Sequence, residues 1–350
     1  MKGKREKYID GMKGYACLFI LLGHFMGIYK YAENADMIDS WFVRILTIGP
    51  LSFFSAESYW LYLFLVISGY LLMTFNTPHN YKEFVIKCAK RALRFVIPVI
   101  GTAIFIYILQ GVIGFYNFDV QSIVQNKWLT NLYENPLTLK EVLEEPILVL
   151  VYGKSKFNSP FWCIRDMFIS AVLIYAINIK EKTVERKSFW IIVFIILFCL
   201  LKRNVIIACL IGAFTGLLKQ NQYIQKISGN IPYFSIVFLI VAFIVNNSLL
   251  IDFSFAMLLL CIPKMKWGGR LLESKIGQNL GKISFGIYAL HWPVINSIGL
   301  KIVVEFTGKI RKDVIMIMAL LVTIGVTLLL AKVFRETVER MTTKICGLIQ

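Results

Sequence analysis

Ten apolar stretches, parted by short polar segments, run along the chain at 12–30, 58–75, 94–114, 161–179, 189–203, 205–219, 233–248, 250–263, 280–300 and 313–334. A helix crosses a hydrocarbon core of ~30 Å in ~20 residues, a length most of these stretches approach or reach. The stretches at 189–203, 205–219 and 250–263 are short. The pattern predicts an all-α, polytopic membrane bundle of about ten transmembrane helices in one domain spanning 1–350. The first apolar run lacks a small-residue cleavage site and further spans follow it, so it reads as a retained helix. The longest break lies between Phe115 and Pro160. It carries Asp119, Glu134, Glu141, Glu144 and Glu145, and its Leu139–Leu150 part suits a short amphipathic helix lying at the interface. A loop of this length is either functional or a plain connector.

Composition agrees with the pattern. The 350 residues are 57% hydrophobic and 17% charged, with a mean hydropathy of +0.67. A typical soluble domain is ~25% charged. The net charge of +17 would point to nucleic acid in a soluble protein, but here it follows a topological signal instead. About two-thirds of the 38 Lys and Arg residues fall on the side that holds both termini, which predicts an N-in, C-in orientation. Seven cysteines are scattered without metal-site or disulfide spacing. No internal repeat or low-complexity tract is visible.

Two of the three histidines, His24 and His291, lie midway along apolar stretches. An ionisable ring at that depth is costly, and it usually faces the bundle interior or a cavity. Lys13 precedes His24 by eleven residues, a rise of ~16 Å. Lys282 precedes His291 by nine, or ~13 Å. A lysine at a membrane edge can also simply snorkel, and a buried imidazole can simply bond a neighbouring helix. Arg91 and Arg94 are three apart and share a helix face. Two guanidinium forks at a membrane edge suit a polyphosphate, a topology signal or lipid headgroups. Ser68 and Gly69 permit close helix approach, or line a ligand channel.

Arg165 and Asp166 are adjacent, so each is expected to face its own partner, either a polar acceptor at the mouth or another helix. Trp162 suits an interfacial anchor, the commoner use, or a platform for a sugar ring. Pro293 frees a backbone carbonyl one turn earlier, which neighbours or water must re-satisfy. That suits a polar cavity beside His291.

Taken together, these segments resemble the membrane acyltransferase 3 family. Asp10, Lys13 and His24 match its opening motif, with Lys where Arg is commoner. Arg91 and Arg94 match its Arg-x-x-Arg pair. Phe64-Leu65-Val66-Ile67-Ser68-Gly69-Tyr70 and Trp162 to Asp166 match two further segments. Ser284 to Pro293 matches the last, with Phe285 in place of Tyr. The resemblance runs through the first nine spans in order.

It implies a membrane O-acyltransferase of the bacterial plasma membrane. Such an enzyme moves an acyl group, usually acetyl, from cytoplasmic acyl-CoA to a hydroxyl of an extracytoplasmic or lipid-linked glycan. No tightly bound cofactor and no metal is expected. Acyl-CoA, the acceptor and membrane lipid are the expected partners, and nucleic acid is not. The additional hydrolase-like domain of some relatives is not expected. On this reading Lys13, Arg91 and Arg94, with Ser68, hold acyl-CoA, and His24 is a general base or a transient acyl carrier. His291, Tyr288 and Ser68 are candidate oxyanion donors. Trp162, Arg165, Asp166 and Tyr288 hold the acceptor. A secondary transporter of an organic anion and a glycan polymerase are the competing readings.

Overall fold

The computed structural model describes residues 6–33, 40–49, 51–131, 133–219 and 231–349. The described residues are 83% helical, and no strand occurs among them. A helix occupies each expected apolar stretch: α1 (Lys7–Lys30), α2 (Glu57–Phe75), α3 (Tyr81–Val112), α4 (Ile164–Lys180), α5 (Val184–Leu200), α6 (Asn204–Leu218), α7 (Ile231–Val245), α8 (Ser248–Cys261), α9 (Ser284–Val294) and α10 (Lys312–Phe334). Six described helical runs are long and apolar enough to cross a membrane, those containing α1, α2, α3, α4, α9 and α10. α6 and α8 are shorter apolar helices, of 15 and 14 residues.

Two of the boundaries that differ from the hydropathy pattern bear on the site. α3 starts thirteen residues earlier than its apolar part, because the Asn80 side chain accepts from the Glu83 amide at 2.9 Å and caps it. At 32 residues it runs for ~48 Å, so its basic first third, with Arg91 and Arg94, continues the spanning helix beyond the apolar core. The stretch at 280–300 is broken at Ile283, between a helix over Lys275–Lys282 and α9. Gly281 packs there on the Asp10 backbone of α1, where a Cβ would collide with the Asp10 carbonyl.

Close crossings hold the centre together. Gly69 of α2 lies against the Cys209 carbonyl of α6, and Gly212 of α6 lies against the Val66 carbonyl of α2. Small residues at such crossings let backbones approach and add dispersion contacts where lipid supplies no hydrophobic drive. The Ser68-Gly69 pair therefore does serve packing through its glycine.

The long loop is structured. Leu139–Ile147 is a helix with a capping box between Thr138 and Glu141, continued by a π-helical turn over Leu148–Tyr152. Leu139, Leu143 and Ile147, spaced by four, are 61%, 69% and 59% exposed, while Val142, Glu145 and Pro146 face inward. The helix thus presents an apolar stripe outward, the pattern of an interfacial helix. Hydrogen bonds tie the loop to the bundle at several points. Asn126 donates to the Gly27 and Ile28 carbonyls (3.0 and 2.8 Å) in the last turn of α1, where helical donors run out. The Tyr116 amide donates to the Asn296 carbonyl at 2.8 Å. Asn158 donates to the Ala289 carbonyl at 2.7 Å.

Candidate functional site

Among the described residues, one cavity lies toward each end of α1. The loop-end cavity, about 530 Å³, is lined by His24, Glu57, Trp128, Pro160, Trp162 and Tyr288 among others. The cavity at the Lys13 end, about 210 Å³, is lined by Lys13, Ser68, Arg91, Arg94 and Tyr288, with apolar side chains that include Phe64 and Phe285. Leu61 and Tyr288 line both. The sequence places His24 and Lys13 on one helix, and the fold puts them in different chambers.

His24 and His291 meet. The Nε2 of His291 is 3.1 Å from the Nδ1 of His24, across α1 and α9. The Nδ1 of His291 is 3.2 Å from the Ile287 carbonyl, and the Nδ1 of His24 is 3.0 Å from the Ile20 carbonyl. A carbonyl only accepts, so the network assigns a proton to Nδ1 of His291 and leaves its Nε2 as a lone pair. The Nδ1–H of His24 is shared between that lone pair and the Ile20 carbonyl. His24, partly exposed in the cavity, is left with Nε2 as its free acceptor. His291 is fully buried and lines neither cavity.

An aromatic wall fixes the His24 ring. Trp128 stacks on it at 6.1 Å and 10°, and Trp292 meets it edge-on at 5.7 Å. The two indoles pack on each other at 4.9 Å. Such aromatic pairs contribute ~0.5–1.5 kcal/mol each beyond area burial. Trp128 reaches this place because Gly27 has no side chain: a Cβ there would stand 2.9 Å from the indole.

The loop's other contribution follows from Pro293. Proline cannot donate to the residue four before it, which is Ala289. Asn158 fills that vacancy, as its 2.7 Å bond to Ala289 shows. It thereby sets Ser159, Pro160 and Trp162 along the cavity. Trp162 is half exposed at the mouth. The Tyr288 hydroxyl donates to the Pro160 carbonyl and lies 3.2 Å from Cys163 Sγ. Behind this segment Glu145 is fully buried, accepting from the Ser155 hydroxyl and from the amides of Lys156 (3.1 Å) and Phe157 (3.4 Å). Burial pushes its carboxyl above the ordinary range, against the pull of those donors.

In the other cavity the Arg91 Nη2 donates to Ser68 Oγ at 3.0 Å, and its guanidinium lies 4.7 Å from the Phe95 ring centroid. The Arg91 Nε is buried with no partner among the described residues. Lys13 pairs with Asp10 at 2.9 Å. Ser68 thus orients a cation, two helical turns along α2 from the Leu61 that borders the His24 chamber.

Arg165 and Asp166 line neither cavity. They touch each other at 3.3 Å, and each also has a partner of its own, as their adjacency implies. Asp166 also accepts from Arg203 Nε at 3.1 Å and from Arg203 Nη2, at the turn between α5 and α6. Arg165 donates to the Tyr152 carbonyl at 3.0 Å. Sequence reasoning did not single out Trp128, Asn126, Asn158 or Glu57. Trp128, two residues after Asn126 in the long loop, was the available signal. Glu57, one residue before an apolar stretch, was another.

No group of three or more His, Cys, Asp or Glu among the described residues has metal-binding geometry. A family model described as an acyltransferase domain matches residues 6–335. No curated protein and no solved structure matches the chain.

Proposed function

The chain belongs to the acyltransferase 3 family and is a membrane acyltransferase, and from that premise we propose that it transfers acetyl from cytoplasmic acetyl-CoA to a hydroxyl of a cell-surface or lipid-linked glycan. The carrying observation is the pair of cavities that meet at Leu61 and Tyr288, one holding cations and the other His24. The Lys13 end faces the cytoplasm and the loop end faces outward, with the chain in the bacterial plasma membrane. The asymmetry of Lys and Arg supports this orientation.

Lys13, Arg91 and Arg94 hold the phosphates of CoA. The buried, unpartnered Arg91 Nε supports that role, since a desolvated donor gains most from an anion. The acceptor sits in the loop-end chamber, against Trp128 and Trp162, with Glu57 available to accept from a sugar hydroxyl. His24 takes the acceptor proton at Nε2. The hydroxyl oxygen forms a bond to the acyl carbon, the carbon–sulfur bond breaks, and His24 returns the proton to the departing thiolate. During this cycle the imidazolium keeps its Nδ1–H on His291, whose lone pair stabilises it. His291 is therefore a positioning residue that does not touch substrate. Ser68 positions Arg91. Arg165 and Asp166 brace α4 behind the acceptor chamber.

The test is transfer of labelled acetyl from acetyl-CoA by purified protein in lipid nanodiscs, with lipid-linked glycans as acceptors. Acetylated glycan from wild type, and none from a correctly inserted His24→Ala variant, is the expected result. Equal product from both would remove His24 from the chemistry.

A further inference from the structure

We propose that Leu61 and Tyr288 form the gate through which the acyl group passes, and that the opening between them sets the largest acyl group transferred. This rests on the reading of the two cavities as donor and acceptor chambers. Those two side chains are the only residues common to both linings. On this reading a thioester whose phosphates meet Lys13, Arg91 and Arg94 passes between them to come within reach of His24.

The two jambs are unequal. The Tyr288 ring stacks on Phe64 at 6.2 Å and 11°, and Phe161 and Phe285 flank it at 6.2 and 6.4 Å. Its hydroxyl is tied to the Pro160 carbonyl and Cys163. Ring and hydroxyl are thus held at both ends, and the tyrosine is a fixed wall. Leu61 is held by packing alone, so its volume is the adjustable element of the opening. Pro160 itself lines the loop-end cavity, so the same bond that fixes Tyr288 joins the gate to the wall of the acceptor chamber. In an apolar constriction, one methylene changes discrimination by about 10–200-fold. A leucine-to-alanine change removes more than that.

The experiment compares kcat/KM for acetyl-, propionyl-, butyryl- and hexanoyl-CoA in wild type, Leu61→Ala, Leu61→Phe and Tyr288→Phe. CoA binding is measured in parallel on each protein. The expected result is a butyryl-to-acetyl ratio at least about 10-fold higher in Leu61→Ala, and a propionyl-to-acetyl ratio lowered in Leu61→Phe. Tyr288→Phe keeps the ring but frees it from Pro160, and is expected to broaden the donor profile with CoA affinity unchanged. If Leu61→Ala does not reach the membrane, Leu61→Val gives the same direction with a smaller shift. A wild type that transfers acetyl while both Leu61 variants bind CoA and keep its donor profile overturns the gate alone. A wild type that transfers no acyl group from any donor overturns the underlying reading as well.

Discussion

The Asn158 amide bonds the one backbone carbonyl, that of Ala289, which Pro293 strips of its helical partner. A proline in a spanning helix thus becomes a docking point for an outer loop. Removing the donor leaves a buried carbonyl unpaired, at a cost of roughly 1–3 kcal/mol. Asn158→Leu is expected to loosen Ser159 to Trp162 and raise the acceptor KM several-fold. Steady-state kinetics with CoA and acceptor varied separately check this, since the donor KM is expected to stay constant.

The imidazole pair makes a second prediction. His291→Phe removes one of the two acceptors of the His24 Nδ1–H, leaving the Ile20 carbonyl, and is expected to lower kcat while leaving both KM values near wild type. His291→Gln retains an accepting oxygen and is expected to recover part of the rate. A positioned base contributes about 10²–10⁴-fold, which bounds the loss in either variant. Initial rates at saturating substrates measure it.

Ser68 and Arg91 are expected to act as a unit. Arg91→Lys keeps the charge but loses the fork that reaches Ser68, so CoA affinity is expected to fall. Ser68→Ala is expected to weaken CoA binding by less, and to add little on top of Arg91→Lys. Isothermal titration of the four proteins with CoA closes the double-mutant cycle.

Asp166→Asn is expected to lower stability more than activity. It breaks the forked pair with Arg203 and the contact with Arg165, both outside the cavities. Loss of such a charged hydrogen-bonded pair costs roughly 1.5–3 kcal/mol. Thermal unfolding in detergent is expected to shift down, with acceptor KM unchanged in the folded fraction.

Glu145 gives the outer loop a pH dependence. Burial raises its carboxyl above the ordinary range, so the folded loop holds the proton more tightly than the unfolded chain does. Its stabilising contribution is present at low pH and is lost as pH rises through the raised value. Hydrogen exchange at 154–158, corrected for intrinsic rates, is expected to be better protected at pH 5 than at pH 8. Glu145→Gln is expected to flatten that difference.

The positions of the helices were legible because crossing a bilayer demands a local run of apolar residues, and such runs are a property of consecutive sequence. Their ends were less legible. The Asn80 cap extended α3 through its basic stretch, and the ninth apolar stretch is broken at Ile283, beside the close approach of Gly281 to Asp10. Pro293 announced a freed carbonyl from sequence alone. That Asn158 fills it was not legible, because its loop lies more than a hundred residues away.

By itself the sequence determined an all-helical membrane chain, the place of His24 along its helix, and the cations at the Lys13 end. Depth along a helix is rise times residue count, and it needs no partner. Which side chains share a chamber is set instead by which helices cross and at what rotation. Only the tertiary structure decided that His24 bonds His291, that Trp128 covers it, that Asp166 turns to Arg203, and that Leu61 and Tyr288 stand between the two cavities. Those contacts join segments distant in the chain, and the glycine-level crossings that bring them together depend on the whole bundle.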